Sequence, residues 1–239
     1  MDPKDPLAAN LPAPTATRPL LGLTVLVVED SRFACEALRL LCLRSGARIR
    51  RADCLRSARR HLRVYRPSVV IMDLGLPDGD GCHLIAELNE AQPRVEGILA
   101  ISGNPETETA AMASGADGFL AKPIISMATF QEKILSLLPE DRRPRGVREV
   151  SDVEVSPDRI AYLDDMAHAA DVLEDPRDEF ALDYVAQFLA GVAKSAEDGG
   201  MEQAAQALAA QRAAGISAAA ESAIIAGLLL ERSAQLMAI

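Results

Sequence analysis

The sequence predicts an α/β protein built on a doubly wound, five-stranded parallel sheet, followed by a small all-α helical bundle. Three observations predict it. Five short strand signals alternate with five helical patterns as far as residue 138. Three of those strand signals are continuous apolar runs, as strands buried on both faces require. Beyond a charged stretch holding Pro139, Pro144, Gly146 and Pro157, apolar residues recur only at helical spacing.

Residues 1–20, rich in Pro, Ala and Thr, read as a flexible tail. Strands are expected at Thr24–Val28, Arg48–Arg51, Val69–Met72, Ile98–Ile101 and Gly118–Ala121. Helical patterns lie between them near Arg32–Leu43, Cys54–Tyr65, Cys82–Glu90, Glu106–Ser114 and Met127–Leu138. Asn104-Pro105 is an N-cap followed by a proline suited to the first helical position, and Gly115 stands where a helix should end. Alternating βα units imply right-handed crossovers with helices on both faces of the sheet. The domain so described covers residues 21–138, and 139–157 form a linker. Residues 158–239 make the helical module, with stretches near 158–173, 179–195, 201–213 and 217–237 separated by Pro176, Gly199-Gly200 and Gly215.

The charge is unevenly placed. Of the net −10, residues 21–140 carry 14 Lys+Arg against 15 Asp+Glu, whereas residues 141–239 carry 9 against 18. An acidic C-terminal third repels a phosphate backbone, which argues against DNA. No apolar run approaches the ~20 residues of a membrane span, and the N-terminus lacks an apolar export core, so a cytoplasmic protein is expected. Cys35, Cys42, Cys54 and Cys82 form no CxxC pair, and Cys35 and Cys42, seven apart on one helical pattern, read as buried small hydrophobes.

In open parallel sheets reactive groups gather at the carboxyl ends of the strands. Here those ends carry Glu29-Asp30, Asp73, Ser102 and Lys122-Pro123. Three carboxylates, a hydroxyl and an ammonium from four strands suit phosphoryl transfer to a carboxylate. Mg²⁺ prefers oxygen ligands; Asp30 and Asp73 can bind it directly, and Glu29 directly or through water. Asp73 is the expected nucleophile and phosphoacceptor, with Lys122 neutralising the transferring oxygens and Ser102 donating to the arrived phosphoryl group. Any one of these residues alone reads more blandly, as a cap, a loop hydroxyl or a solvated charge. Their joint placement is the signal.

The segments VLVVEDS, VVIMDLGLPDGDG, ISG and GADGFLAKP resemble the receiver domain of two-component response regulators, which has a flavodoxin-like fold. The resemblance covers about half the chain. It implies phosphorylation of Asp73 by a histidine kinase or phosphotransfer protein. It also implies Mg²⁺ held by Glu29, Asp30, Asp73 and the Gly75 carbonyl, a switch through Ser102 and Phe119, and a cis bond before Pro123. Pro77, Asp80 and Gly81 match the loop after the acceptor. Phe119 stands where Tyr is common, so the ring lacks a phenolic hydroxyl. The family implies a signalling protein rather than an enzyme.

Arg44, Arg48, Arg50, Arg51, Arg56, Arg59, Arg60, Arg63 and Arg66 crowd the second strand and helix, as a solvated face, a surface for an acidic partner (including the C-terminal module itself) or one for nucleic acid, although Tyr65 alone offers a base a ring to stack on. The final helical stretch has no Lys or Arg between 217 and 230, unlike a recognition helix. Its apolar residues, Ile224, Ile225, Leu228, Leu229, Leu230, Leu236, Met237 and Ile239, cover more than one face, which suggests a homodimer or a docked downstream protein. FLAGVAKSAEDGGMEQAAQALAAQRAAG loosely resembles a histidine phosphotransfer bundle, with Gln211 or a neighbour where that family has its histidine. His168 reads as an ordinary side chain. The expectation is a regulator acting through protein–protein contacts. The alternatives are a transcriptional regulator with an atypical DNA-binding module and a phosphorelay intermediate with a degenerate bundle.

Overall fold

The computed structural model describes residues 12–145, 153–173 and 179–236. The strands are β1 Thr24–Val28, β2 Arg48–Ala52, β3 Val69–Asp73, β4 Gly75–Leu76, β5 Gly79–Asp80, β6 Gly97–Ser102 and β7 Gly118–Ala121. The α/β helices are α1 Arg32–Ser45, α2 Leu55–Val64, α3 Gly81–Glu90, α4 Glu108–Ala113 and α5 Met127–Leu137. The helical module comprises α6 Arg159–Leu173, α7 Glu179–Ser195, α8 Gly199–Ala213 and α9 Ala219–Leu236. The long strands form a five-stranded parallel sheet in the order β2-β1-β3-β6-β7. The doubly wound α/β fold and the helical bundle are both as the sequence predicts.

Strand alternation sorts the core into two layers. Val25, Val27, Val69, Ile71, Leu99 and Ile101 face Leu38, Leu41, Phe130 and Ile134 of α1 and α5. Their neighbours Leu26, Val28, Val70, Met72, Ile98 and Ala100 face Leu55, Ala58, Leu84, Ile85 and Ala111 of α2, α3 and α4. This is why β1, β3 and β6 read as unbroken apolar runs. Edge strand β2 is different: Arg48, Arg50 and Arg51 are exposed along it. Charge on an edge discourages pairing with another chain, which gives these three arginines a structural reason.

Three local departures have clear causes. The fourth helix is shorter than expected because Pro105–Thr107 forms a 3₁₀ turn first, with Asn104 accepting from the Glu106 N–H at 3.0 Å. The Gly199-Gly200 pair, expected to separate helices, is instead the first turn of α8, capped by Asp198 on the Met201 N–H at 3.1 Å. The short β4–β5 hairpin was not expected; each of its strands is only two residues long, too short to carry a period.

Both ends of the α/β domain extend into segments expected to be tail and linker. Leu20 is fully buried and its N–H bonds the Ser45 carbonyl at 2.9 Å. Val155 is buried in the same layer, and its N–H reaches the Ile125 carbonyl at 2.9 Å. Residues 1–11 of the expected tail and 146–152 of the expected linker lie outside the described residues, as do Met237 and Ile239.

The helical module packs on α1. Leu163, Met166, Val185, Leu189, Met201, Leu208 and Ile225 form its core, and Phe33 of α1 inserts into the same cluster, edge-on to Tyr162. Asp165 of α6 is 1 % exposed. It accepts the Ser31 hydroxyl at 2.7 Å and the Arg32 and Phe33 N–H groups at 2.7 and 3.0 Å. Helix α1 has no acid in its own first turn, so a carboxylate 134 positions away in sequence satisfies its orphan donors. Arg32 adds an ion pair to Asp164 at 2.6 Å.

Candidate phosphoacceptor site

Sheet register assembles the acidic group. Val28 pairs with Met72, so the next residues, Glu29 and Asp73, emerge side by side. Asp73 pairs with Ile101, placing Ser102 one step beyond, and Ser102 pairs with Ala121, placing Lys122 after it. The ligand oxygens of Glu29, Asp30 and Asp73 all lie within 4.8 Å of one another. Lys122 Nζ sits 2.6 Å from Glu29 Oε2 and 3.2 Å from Asp73 Oδ1. Asp73 Oδ1 also accepts the Leu74 N–H at 2.9 Å. The peptide before Pro123 is cis.

Three neighbouring carboxylates in a largely dry setting repel one another. Burial pushes Glu29 well above the ordinary carboxylate range despite Lys122, with Asp73 and Asp30 adding to the rise. Burial likewise pushes Asp30 up to about 6, with the Asp73 charge second. Burial alone would discharge Lys122, but the Asp73 and Glu29 charges outweigh it and its pKa is raised. A cluster of this kind favours a cation. Its hard, all-oxygen donor set suits Mg²⁺. Gly75 borders the same chamber.

The remaining expected residues fall nearby. Ser102 is 1 % exposed, and its Oγ accepts the Asn104 N–H at 3.1 Å. Phe119 is buried among Leu84, Ile98 and Ala111, so its ring already points inward rather than waiting outside to move in. Gly81 is required for a different reason: a Cβ there would collide with the Asp73 carbonyl. Asp80 caps α3 on the Cys82 N–H at 2.8 Å.

The response regulator receiver domain family matches residues 25–134. This segment is a receiver domain. Among curated proteins, the KDP operon transcriptional regulatory protein KdpE of Escherichia coli is 33 % identical over 99 residues, which is 41 % of this chain and 44 % of that protein. The virulence transcriptional regulatory protein PhoP of Salmonella typhimurium is 32 % identical over 101 residues, 41 % of this chain and 45 % of that one. The chain thus spans less than half the length of these relatives. Among solved structures, the signal receiver domain of a signal transduction histidine kinase from Syntrophus aciditrophicus matches with TM-score 0.46 and 23 % identity, over 54 % of this chain and 99 % of that one. A CheY-like response regulator receiver domain protein from Methanospirillum hungatei matches with TM-score 0.45 and 20 % identity, over 50 % and 95 %.

The receiver domain here has an unexpected roof. Helix α7 lies across its acidic mouth, and the chamber between them holds about 170 Å³, bordered by Asp30, Asp73 and Lys122 below and Gln187, Gly191 and Gln206 above. The Tyr184 phenol donates to Asp30 Oδ2 at 2.6 Å. A Cβ on Gly75 would collide with the Gln187 amide. Sequence reasoning missed Tyr184, Gln187 and Asp165. Only Asp165 left a signal, as an acid between Leu163 and Met166 on the apolar face of α6.

The arginine band does not meet the acidic module through the ion pairs found among the described residues. Arg59 pairs with Glu87 of the receiver domain, and the receiver–module pair uses Arg32, which lies outside the band. Gln211 does not border the chamber. Helix α9 runs beyond residue 230 to include Arg232, which is bound to Asp198. Among the described residues no helix is long and apolar enough to cross a membrane.

Proposed function

We propose that this protein is a two-component response regulator in which Asp73 accepts a phosphoryl group from a histidine kinase or phosphotransfer protein. The supporting observation is the convergence of Glu29, Asp30, Asp73, Ser102 and Lys122 at four adjacent strand ends of a receiver domain. An Asp73 carboxylate oxygen attacks phosphorus; the bond from phosphorus to the donor nitrogen breaks, and the donor imidazole keeps the electron pair. Glu29, Asp30, Asp73 and the Gly75 carbonyl would hold Mg²⁺, which supplies positive charge against the transferring oxygens. Lys122, held between Glu29 and Asp73, supplies a second positive charge, and the Ser102 hydroxyl donates to the phosphoryl oxygen.

The output is read as protein–protein contact. The outer arc of α9 presents Ala220, Ala223, Ile224, Gly227 and Leu230, and Ile224 and Leu230 are 57 % and 72 % exposed. A largely apolar face, ended by the exposed Glu231, on an otherwise acidic module suits a second apolar helix, and a homodimer is the default form. The two curated relatives are named as transcriptional regulators, but each match covers only 41 % of this chain.

Incubating the protein with Mg²⁺ and a small-molecule phosphodonor should add one phosphoryl group by mass spectrometry, and Asp73→Asn should abolish it. An adduct persisting in Asp73→Asn would overturn the assignment.

A further inference from the structure

We propose that the α6–α7 face is a reversible lid over the acidic site, held shut by Tyr184 on Asp30, and that lid closure and metal binding oppose one another. The inference rests on the reading of Glu29, Asp30 and Asp73 as a Mg²⁺ site. Three features carry it.

The first is where Tyr184 places its only proton. The phenol donates to Asp30 Oδ2 at 2.6 Å, so its oxygen must accept from His168 Nε2 at 3.2 Å, which fixes the imidazole as the donor there. A donor this close draws on the lone pairs that a cation would use.

The second is how the lid is latched. Asp165 closes three hydrogen bonds over the start of α1, immediately after Glu29 and Asp30, and Phe33 anchors α1 in the module core. The contact between α7 and the loop after β6 is glycine against glycine: a Cβ on Gly103 would lie 3.4 Å from the Gly191 Cα. The lid is therefore held by polar groups beside the metal-ligand positions and by Phe33 in the module core, whereas its rim against the loop after β6 is bare glycine.

The third is size. A chamber of about 170 Å³ has room for several waters or a small donor, whereas a protein donor must bring its histidine to Asp73 through the opening that α7 covers. Lid opening then precedes phosphorylation by a protein donor. By linkage, whatever metal binding does to the lid, the lid does equally to metal affinity.

The test uses the full chain. Titration with Mg²⁺ by calorimetry should give tighter binding in Tyr184→Phe, by about five-fold or more. Asp165→Asn loosens the second latch without touching Asp30, and should shift the affinity in the same direction. In the wild-type protein, saturating Mg²⁺ should speed hydrogen exchange in α7. Affinities equal to or weaker than wild type in both variants would overturn the lid while leaving the metal site standing. If neither variant nor wild type binds Mg²⁺, the metal reading falls and the antagonism with it.

Discussion

Lys122 illustrates at the residue scale how this protein sets protonation by position. Burial disfavours its charge, two carboxylates restore it, and the carboxylates win. Two cysteines show burial winning instead. Burial pushes Cys35 and Cys42 up to about 12, so both stay protonated and unreactive at neutral pH. Cys54 and Cys82 are half-buried. In the native protein iodoacetamide should therefore modify Cys54 and Cys82 while sparing Cys35 and Cys42, and all four should react in urea. Native labelling of Cys42, read by peptide mass, would contradict the packing. This much was legible beforehand, because a small apolar side chain in a helical stripe predicts its own burial. Tyr184 was not legible: nothing near it in sequence distinguishes a core tyrosine from one that reaches a carboxylate in another domain.

At the scale of elements, the module depends on one joint. Asp198 caps α8, accepts the Tyr162 hydroxyl of α6 at 2.6 Å and pairs with Arg232 of α9 at 2.8 Å, so one carboxylate ties three helices. Its pKa is lowered, first by the Arg232 hydrogen bond and then by those from Tyr162 and Met201, which together outweigh burial. A carboxyl whose folded pKa lies below its unfolded value, near 3.8, stabilises the fold above that value. The contribution is lost as pH falls below about 4 through the folded pKa. Asp198→Ala should cost about 2 kcal/mol at pH 7 in urea denaturation followed by circular dichroism. The gap between the two proteins should narrow as pH drops below about 4. A gap independent of pH would mean the capping geometry, not the charge, carries the effect. The sequence showed the glycine pair beside this joint but not the joint itself, whose three partners come from distant segments.

For the whole molecule, the question is what covers α9. Ile225 and Leu229 are spent on the module core, and Leu228 is half-buried, so the apolar surface expected from the sequence divides into a buried side and an open one. If the open side is a dimer interface, sedimentation should show a concentration-dependent dimer that Leu230→Glu disrupts with the monomer fold intact. A monomer at high micromolar concentration in both proteins would remove the dimer from the proposal. The sequence by itself determined the α/β order, the sheet core and the residues that reach the strand ends, because local periodicity and strand register act over a few residues. Only the tertiary structure decided that the helical module roofs the acidic site. That contact joins Asp30 to Tyr184 and Ser31 to Asp165, pairs 154 and 134 positions apart, and hydrogen bonds over such distances leave no period in the chain for a sequence to display.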